Sequence, residues 1–414
     1  MTVGSYRRRL DASKLVVTRS KVLSEAHNPT DLKFGKHFTG MSPQYLDFLL
    51  FLSGPNLSIT ANATDIDHML LIKWNLNSGW CDPEIVPYQP IALDPSCGSL
   101  NYAISCFEGM KAYLSPQNAP LLFRPLDNLR RMNSSAERIA LPTFDVNELL
   151  KCIASLVELD KRFLNVKRGT KRGSLYLRPN LIGTSPGLGV GPPTSALLYV
   201  IASPVGEYFS SASTAGISLL ASSNLGATRS WYGGAGNRKI AANYAPTIMP
   251  QLQAERLGCQ QVLWVMERDC RITEAGTTNL FVVLRGEDER SVLITPPVDG
   301  MILPGIIRDS VLSLARERLE GRGWEVVERI ITMAELRDAA KDERLIEMFC
   351  TGTAAVVVPV KEIVWGECVV SCRGEENSGM GEIAGLMKSW IEKRQYGQER
   401  HEWSVETVSL GGVN

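Results

Sequence analysis

At 414 residues the chain is long enough for two domains, and its 44% hydrophobic content excludes a disordered polymer. Lys+Arg and Asp+Glu number 44 each, so zero net charge removes the electrostatic footing for a nucleic-acid or membrane-surface protein. The longest apolar run, LDFLLFL at 46–52, contains Asp47 and falls short of the roughly 18 residues that cross a bilayer. Nine cysteines without a dense framework fit a reducing compartment. His27, His37, His68 and His401 have no zinc spacing, and Cys368 with Cys372 reads better as strand or loop cysteines than as ligands, so no metal site is expected. Arg7, Arg8 and Arg9 are followed at once by Asp11, which favours a cytoplasmic protein over a transit peptide, with mitochondrial import the alternative.

In chain order, an entry segment with a short strand near Leu15–Thr18 precedes alternating apolar and polar runs over 67–125. Helical spacing follows at 127–140 and 147–165; in the second, Leu149, Leu150, Ile153, Leu156, Val157 and Leu159 form one stripe. SLYLRP (174–179) and ALLYVIASPV (196–205) read as strands around the loop GTSPGLGVGPPT. A helix is expected through Ile248–Leu257, ended by Gly258. Strands are expected at 261–266, 279–284 and 291–295, and helices at 305–320 and 381–392. The expected division is a first domain over 1–205, a linker over 206–215 and a second domain over 216–414. The mixture lacks the strict strand–helix alternation of a doubly wound sheet.

GTSPG at 183–187 matches G-x-S-x-G, but Pro186, Gly187 and Gly189 forbid the helix that must follow a serine nucleophile. GLGVG at 187–191 runs into Pro-Pro, and GGAGNRK at 233–239 lacks the Ser/Thr of a phosphate loop. Three other segments carry more. In WYGGAGNRKIAANYAP (231–246), Lys239 lies among small residues with Tyr244 five positions on; a desolvated lysine there can form a Schiff base with a planar ligand. In RITEAGTTNLFVV (271–283), Glu274 can hold a pyridinium proton. In MFCTGTAAVVVP (348–359), Gly352, Thr353 and Ala354 form a small-residue turn whose amides can bind an anion. Each alone reads as an ordinary surface lysine, loop glutamate or tight turn.

Taken together, and with LNYAISCFEGMKAY (100–113), DNLRRMNSSAERIALP (127–142), SLYLRPNLIGTSPGLGV (174–190), SPVGEYF (203–209), GCQQVLWV (258–265) and PPVDGMILPGIIRDSVLSLA (296–315), these segments resemble the branched-chain amino-acid aminotransferases of pyridoxal-phosphate fold type IV. They occur in family order over nearly the whole chain. The resemblance implies a two-domain α+β fold, with a small α/β N-terminal domain and a larger C-terminal domain built on a pseudo-barrel sheet. It implies pyridoxal 5′-phosphate bound covalently to Lys239, which also moves the substrate proton. Glu274 then matches the partner of the ring nitrogen and Tyr244 that of the ring oxygen. Arg131, the amides of Ile306 and Ile307 and the Thr353 hydroxyl match the phosphate ligands. Tyr102, Thr353 and Ala354 match the groups around the substrate α-carboxylate; Phe107, Tyr176 and Tyr208 match the pocket walls, and Arg178 the group that receives the γ-carboxylate of glutamate. The implied reaction is ping-pong transfer between Leu, Ile or Val and 2-oxoglutarate, in a homodimer. Alternatives are a D-amino-acid aminotransferase, an aminodeoxychorismate lyase, and a non-catalytic paralogue or mis-spliced product.

The sequence departs from the family pattern in three places. Ala241-Ala242 replaces a usual Gly-Gly, adding methyls expected to tighten the cofactor site. Ala355 and Val358 stand where some animal members have Cys-x-x-Cys, so no thiol switch of that kind is expected. Residues 40–66 interrupt the resemblance, with Asp47 and Asp65 their only charges and no amphipathic period. They read as a translated intron: Gly40-Met41-Ser42 can be encoded by GGTATGTC, Ala61-Asn62 by GCTAAC and Ile66-Asp67 by ATAGAC. The competing reading is a lineage-specific surface loop, which closure entropy tolerates; transcript sequencing across the segment decides between them.

Overall fold

The computed structural model describes residues 8–21, 66–164, 167–168, 171–205, 216–286, 290–372 and 379–410. Tyr208, the expected linker and all of the 40–66 interruption except Ile66 lie outside the described residues. Ile66 itself is only 2% exposed in the first core and its N–H bonds Ala202 O at 3.2 Å, so the last residue of the interruption is built into the fold.

The first half supplies β1 (Val16–Val17), β2 (His68–Asn75), β3 (Gly79–Trp80), β4 (Glu84–Pro87), β5 (Ser105–Phe107), β6 (Met110–Leu114) and β7 (Pro120–Phe123). After a small hairpin of β8 (Lys167–Arg168) and β9 (Lys171–Arg172) come the long strands β10 (Ser174–Gly183) and β11 (Ser195–Val205). Helices α1 (Gly98–Tyr102), α2 (Pro125–Arg138) and α3 (Val146–Leu159) complete this half. Pro125 occupies the first turn of α2, where its missing N–H costs nothing. Asp145 caps α3 by accepting from Asn147 N–H at 2.8 Å and Glu148 N–H at 3.2 Å.

The sheet of this half runs β1-β4-β2-β11-β10-β6-β7, and period-two alternation sorts its two faces. Leu175, Leu177 and Leu181 of β10 join Met110 and Ala112 of β6 and Leu198 and Ala202 of β11 on one face. That face packs on Leu129, Met132 and Ala136 of α2 and Leu149, Ile153 and Leu156 of α3. The opposite face follows from register. Tyr176 pairs with Lys111, Asn180 pairs with Phe107, and Arg178 lies between them in alternation. This polar and aromatic face turns toward the second half of the chain.

The second half contains β12 (Ile217–Ala221), β13 (Gln261–Val265), β14 (Ile272–Ala275), β15 (Asn279–Arg285), β16 (Ser291–Thr295), β17 (Trp324–Glu328), β18 (Leu345–Gly352), β19 (Val356–Trp365) and β20 (Cys368–Ser371). Helices α4 (Ile248–Arg256), α5 (Ile306–Arg318), α6 (Met333–Lys341) and α7 (Glu382–Gln395) accompany them. The sheet order is β14-β13-β12-β19-β18-β15-β16-β17. β15 lies five strands from β14 along this path, yet a tight turn joins the two, with Ala275 N–H bonded to Thr278 O at 2.9 Å. The sheet therefore curls round on itself, enclosing Leu219, Leu263, Leu280 and Met348. A further core joins the halves: Tyr113 and Phe123 of the first sheet pack with Phe281 and Phe349 of the second and with α5 and α7. The Phe281 and Phe349 rings stack at 5.1 Å. The last strand, β21 (Ser404–Glu406), returns to pair with β7 in the first sheet rather than in the second.

Candidate active site

Lys239 is held by its main chain. Its N–H donates to Ser135 Oγ of α2 at 2.8 Å, and its carbonyl accepts from Phe107 N–H of β5 at 3.1 Å. Two short 3-10 turns, Ala241–Asn243 and Ala245–Thr247, fold the following chain back beneath it. They bring Tyr244 Oη within 3.3 Å of Lys239 Nζ. The Tyr244 and Phe107 rings lie 4.8 Å apart, and Nζ sits 4.9 Å from the Phe107 centroid. Ala241 is half-buried and Ala242 exposed.

Glu274, on β14, is 3% exposed. One carboxylate oxygen accepts from Leu303 N–H at 3.1 Å and Asn279 Nδ2 at 3.3 Å; the other is ion-paired with buried Arg229. Burial raises the Glu274 carboxyl above its ordinary value, opposed by the charge of Arg229, the Leu303 N–H and the charge of Lys239. Asn279 Nδ2 also donates to Leu303 O at 3.1 Å, tying the carboxylate to the loop that enters α5.

Arg131, on α2, points its guanidinium at that same loop. Nε and Nη2 bond the two oxygens of fully buried Glu108 at 2.7 and 2.8 Å, while Nη1 donates to Pro304 O at 2.8 Å. Pro304 immediately precedes Gly305, the N-cap of α5, so a fixed cation and the free Ile306 and Ile307 amides converge. A Cβ at Gly305 would overlap Asn279 Oδ1, so this close approach requires glycine.

Thr353 and Ala354 form the turn between β18 and β19. Nearby on the first sheet, Arg178 lies 4.9 Å over the Phe107 ring and donates through Nη2 to Tyr176 Oη at 3.1 Å. Its Nε is buried without a hydrogen-bond partner. A Cβ at Gly109 would overlap Tyr176 Oη. Tyr102 is not joined to this group: it is 41% exposed, its hydroxyl bonded to Leu188 O.

The structure thus gathers Lys239, Tyr244, Phe107, Tyr176, Arg178, Glu274, Arg131 and the Ile306–Ile307 and Thr353–Ala354 turns at the meeting of the two sheets. Sequence reasoning missed Arg229, Glu108, Asn279 and Lys111; Arg229, Glu108 and Lys111 act through partners distant along the chain, and Asn279 joins Glu274, five residues before it, to Leu303, 24 residues after it. Asn279 stood in the quoted segment 271–283 and Glu108 in 100–113, but nothing local marked them. Separately, Asp67, His68 and Asp160 bring potential metal-ligand atoms within 4.8 Å of one another. There His68 Nδ1 faces Asp160 Oδ1 at 2.9 Å, and Nε2 accepts from Ser20 N–H at 2.8 Å. Both ring nitrogens are engaged, and the cluster docks the entry segment onto β2.

An ammonium beside a phenol, a buried carboxylate, and an arginine beside a helix start make three separate handles for a flat, anionic ligand. Residues 105–363 match the amino-transferase class IV model. The chain belongs to the class IV aminotransferases. Among its curated relatives in this family, the mitochondrial branched-chain-amino-acid aminotransferase of Saccharomyces cerevisiae is 43% identical over 97% of this chain and 94% of its own. The cytosolic enzyme of the same yeast is 42% identical over 97% and 98%. In structure, the class IV fold is shared with the branched-chain aminotransferase from the thermophilic archaeon Thermoproteus uzoniensis with norvaline. The TM-score is 0.63 at 25% identity, covering 82% of this chain and 99% of that one. The curled sheet and the α+β architecture are those of this aminotransferase fold. No helix among the described residues is long and apolar enough to cross a membrane.

Proposed function

We propose that this class IV aminotransferase transfers the α-amino group of leucine, isoleucine or valine reversibly to 2-oxoglutarate, with pyridoxal 5′-phosphate as its cofactor. The observation that carries the reading is Lys239 Nζ, 3.3 Å from Tyr244 Oη and electrostatically coupled to buried Glu274 across the same cleft. The donor set fits the cofactor: Lys239 for its aldehyde, Tyr244 for its ring oxygen, Glu274 for its ring nitrogen. Arg131, the Ile306 and Ile307 amides and the Thr353 hydroxyl are suited to its phosphate. When bound, the cofactor supplies an electron sink for the substrate α-carbon.

The protein's own groups do the rest. With the cofactor bound, Lys239 would take the substrate α-proton as general base and return it as general acid to the carbon on the other side of the substrate nitrogen. Tyr244 and Phe107 confine the lysine on one side. Glu274, steadied by Arg229 and the Leu303 amide, keeps a proton on the ring nitrogen. The Thr353–Ala354 turn binds the α-carboxylate through its amides. Phe107 and Tyr176 form an apolar wall on which each buried methylene contributes about 0.8 kcal/mol. Arg178, poised over that wall, receives the γ-carboxylate when glutamate occupies the pocket. Tyr102 and Tyr208 are proposed to complete the substrate pocket in a homodimer. Its relatives include mitochondrial and cytosolic forms; of the two we propose the cytoplasmic location, with mitochondrial import the alternative.

The test is spectroscopic. The purified protein should show a visible cofactor band that leucine bleaches and 2-oxo acid restores, and borohydride should fix the chromophore on Lys239. Lys239→Ala should lose transamination altogether; a variant that keeps both band and turnover refutes the reading.

A further inference from the structure

Lys111 stands on the first sheet, directly paired with Tyr176 and therefore on the face that carries Tyr176 and Arg178. It is 7% exposed. Its Nζ crosses between the two halves of the chain and donates to Ala354 O at 2.7 Å. A lysine in a β-strand is ordinarily solvated, and burying its charge is costly unless bonded groups compensate. Here the bonded group belongs to the very turn that the proposed function assigns to the substrate α-carboxylate.

We propose that Lys111 is a positioning residue for substrate carboxylate binding: its ammonium fixes the Ala354–Ala355 peptide plane and places a positive charge behind the Thr353–Ala354 turn. The inference rests on the function proposed above. Two physical effects follow from one bond. The charge-assisted hydrogen bond holds the turn in register with the first sheet, so the amides that meet the carboxylate are preorganised. The buried cation also adds attraction for an anion in a region where water screens little.

The surroundings make this charge titratable near neutrality. Burial pulls the Lys111 ammonium down to about 8, with Glu392 of α7 opposing the fall. From its own strand it is flanked by Tyr113, itself buried and pushed well above the phenol range. Tyr176 and Arg178 face it from β10, and Gln395 and Tyr396 stand behind Tyr113 at the end of α7. The sign is direct: the ammonium is present below about pH 8 and lost as the pH rises through it. Carboxylate affinity should therefore fall on the alkaline side, and an arginine, which stays charged, should not show that loss.

The experiment uses the full-length enzyme with its cofactor and the probe 4-methylpentanoate, which has no amine and stays ionised over the range. Dissociation constants are measured from about pH 6.5 to about 9.5, a window that brackets the Lys111 titration. Lys111→Met should weaken binding about tenfold or more at pH 7, the worth of one charge-assisted bond. It should leave the visible band in place, and the difference from wild type should shrink at pH 9.5. Lys111→Arg should recover most of the affinity and remove the part of the alkaline loss that Lys111 causes. Superimposed profiles for wild type and Lys111→Arg overturn the proposal, as does wild-type affinity in Lys111→Met at pH 7. If Lys111→Met does not fold, the comparison of wild type with Lys111→Arg decides by itself. A wild-type protein with no cofactor band and no transamination would instead overturn the proposed function.

Discussion

Glu274 sits among charges that oppose its own burial, and its neighbours make its removal informative. Changing it to glutamine leaves Arg229 buried without its counter-charge. Breaking such a pair costs about 3–5 kcal/mol. Glu274→Gln should therefore lower both stability and turnover, the latter by about 100-fold or more, as when a preorganised electrostatic contact is lost. The double variant Arg229→Gln/Glu274→Gln should regain much of the stability in denaturant titrations while turnover stays low. Arg229→Gln alone removes a cation that holds the Glu274 carboxyl down. Its pKa then rises further, so the acid limb of kcat moves to higher pH than in wild type. Equal pH profiles for wild type and Arg229→Gln would contradict this. Lys239, Tyr244 and Glu274 were legible in the sequence because their segments, taken together and in order, resemble one family; alone, each read as an ordinary residue. Arg229 was not, because its partner lies 45 residues on. Lys111 was still less so: 243 residues separate it from Ala354.

Among the elements, the N-terminus of α5 concentrates the constraints. Gly305 gives Asn279 room to hold Glu274 on one side and the Leu303 carbonyl on the other. Gly305→Ala should force Asn279 away, costing about 1–3 kcal/mol as overpacking does and weakening cofactor retention, measurable by dialysis followed by absorbance. Unchanged melting temperature and unchanged retention would show that the turn has slack. The helix itself was expected at 305–320 and runs Ile306–Arg318; α2 and α7 were read with comparable fidelity, because their apolar residues recur on one face, and α4 from the glycine that follows it, whereas the helix expected at 147–165 ends at Leu159 and gives way to a 3-10 turn at Lys161–Leu164. Several elements escaped: β12, β17, β18, β19 and β20 were not expected as strands, and β14 and α6 show why. β14 reads ITEA, four fully buried residues with a carboxylate and a hydroxyl among them, a pattern indistinguishable from a loop until Trp264 is found across the ladder. α6 buries only Met333, Leu336 and Ala339, too few positions to establish a period.

For the whole molecule, the return of β21 to the first sheet was also invisible, since three residues carry no register of their own. Its attachment is nonetheless substantial. Trp403 stands edge-on to Phe123 at 5.9 Å and beneath the guanidinium of Arg124 at 4.8 Å, and Arg124 N–H bonds its carbonyl at 2.6 Å. Trp403→Ala should cost about 2–3 kcal/mol, somewhat below the loss for a fully buried Trp because Trp403 is half-buried. The visible cofactor band should stay in place. A calorimetric scan checks the first expectation and the absorbance the second; a variant as stable as wild type would mean that β21 merely rests on the sheet.

The same strand has a consequence for synthesis. Thr407, just past β21, bonds Pro120 across 287 residues of sequence. While the ribosome makes those residues, β7 presents an unpaired edge, the kind of surface that recruits other nascent chains. Folding of the first sheet can begin early but cannot finish until almost all of the second has emerged. The interval between the two events is when this protein is most exposed to aggregation and most in need of a chaperone.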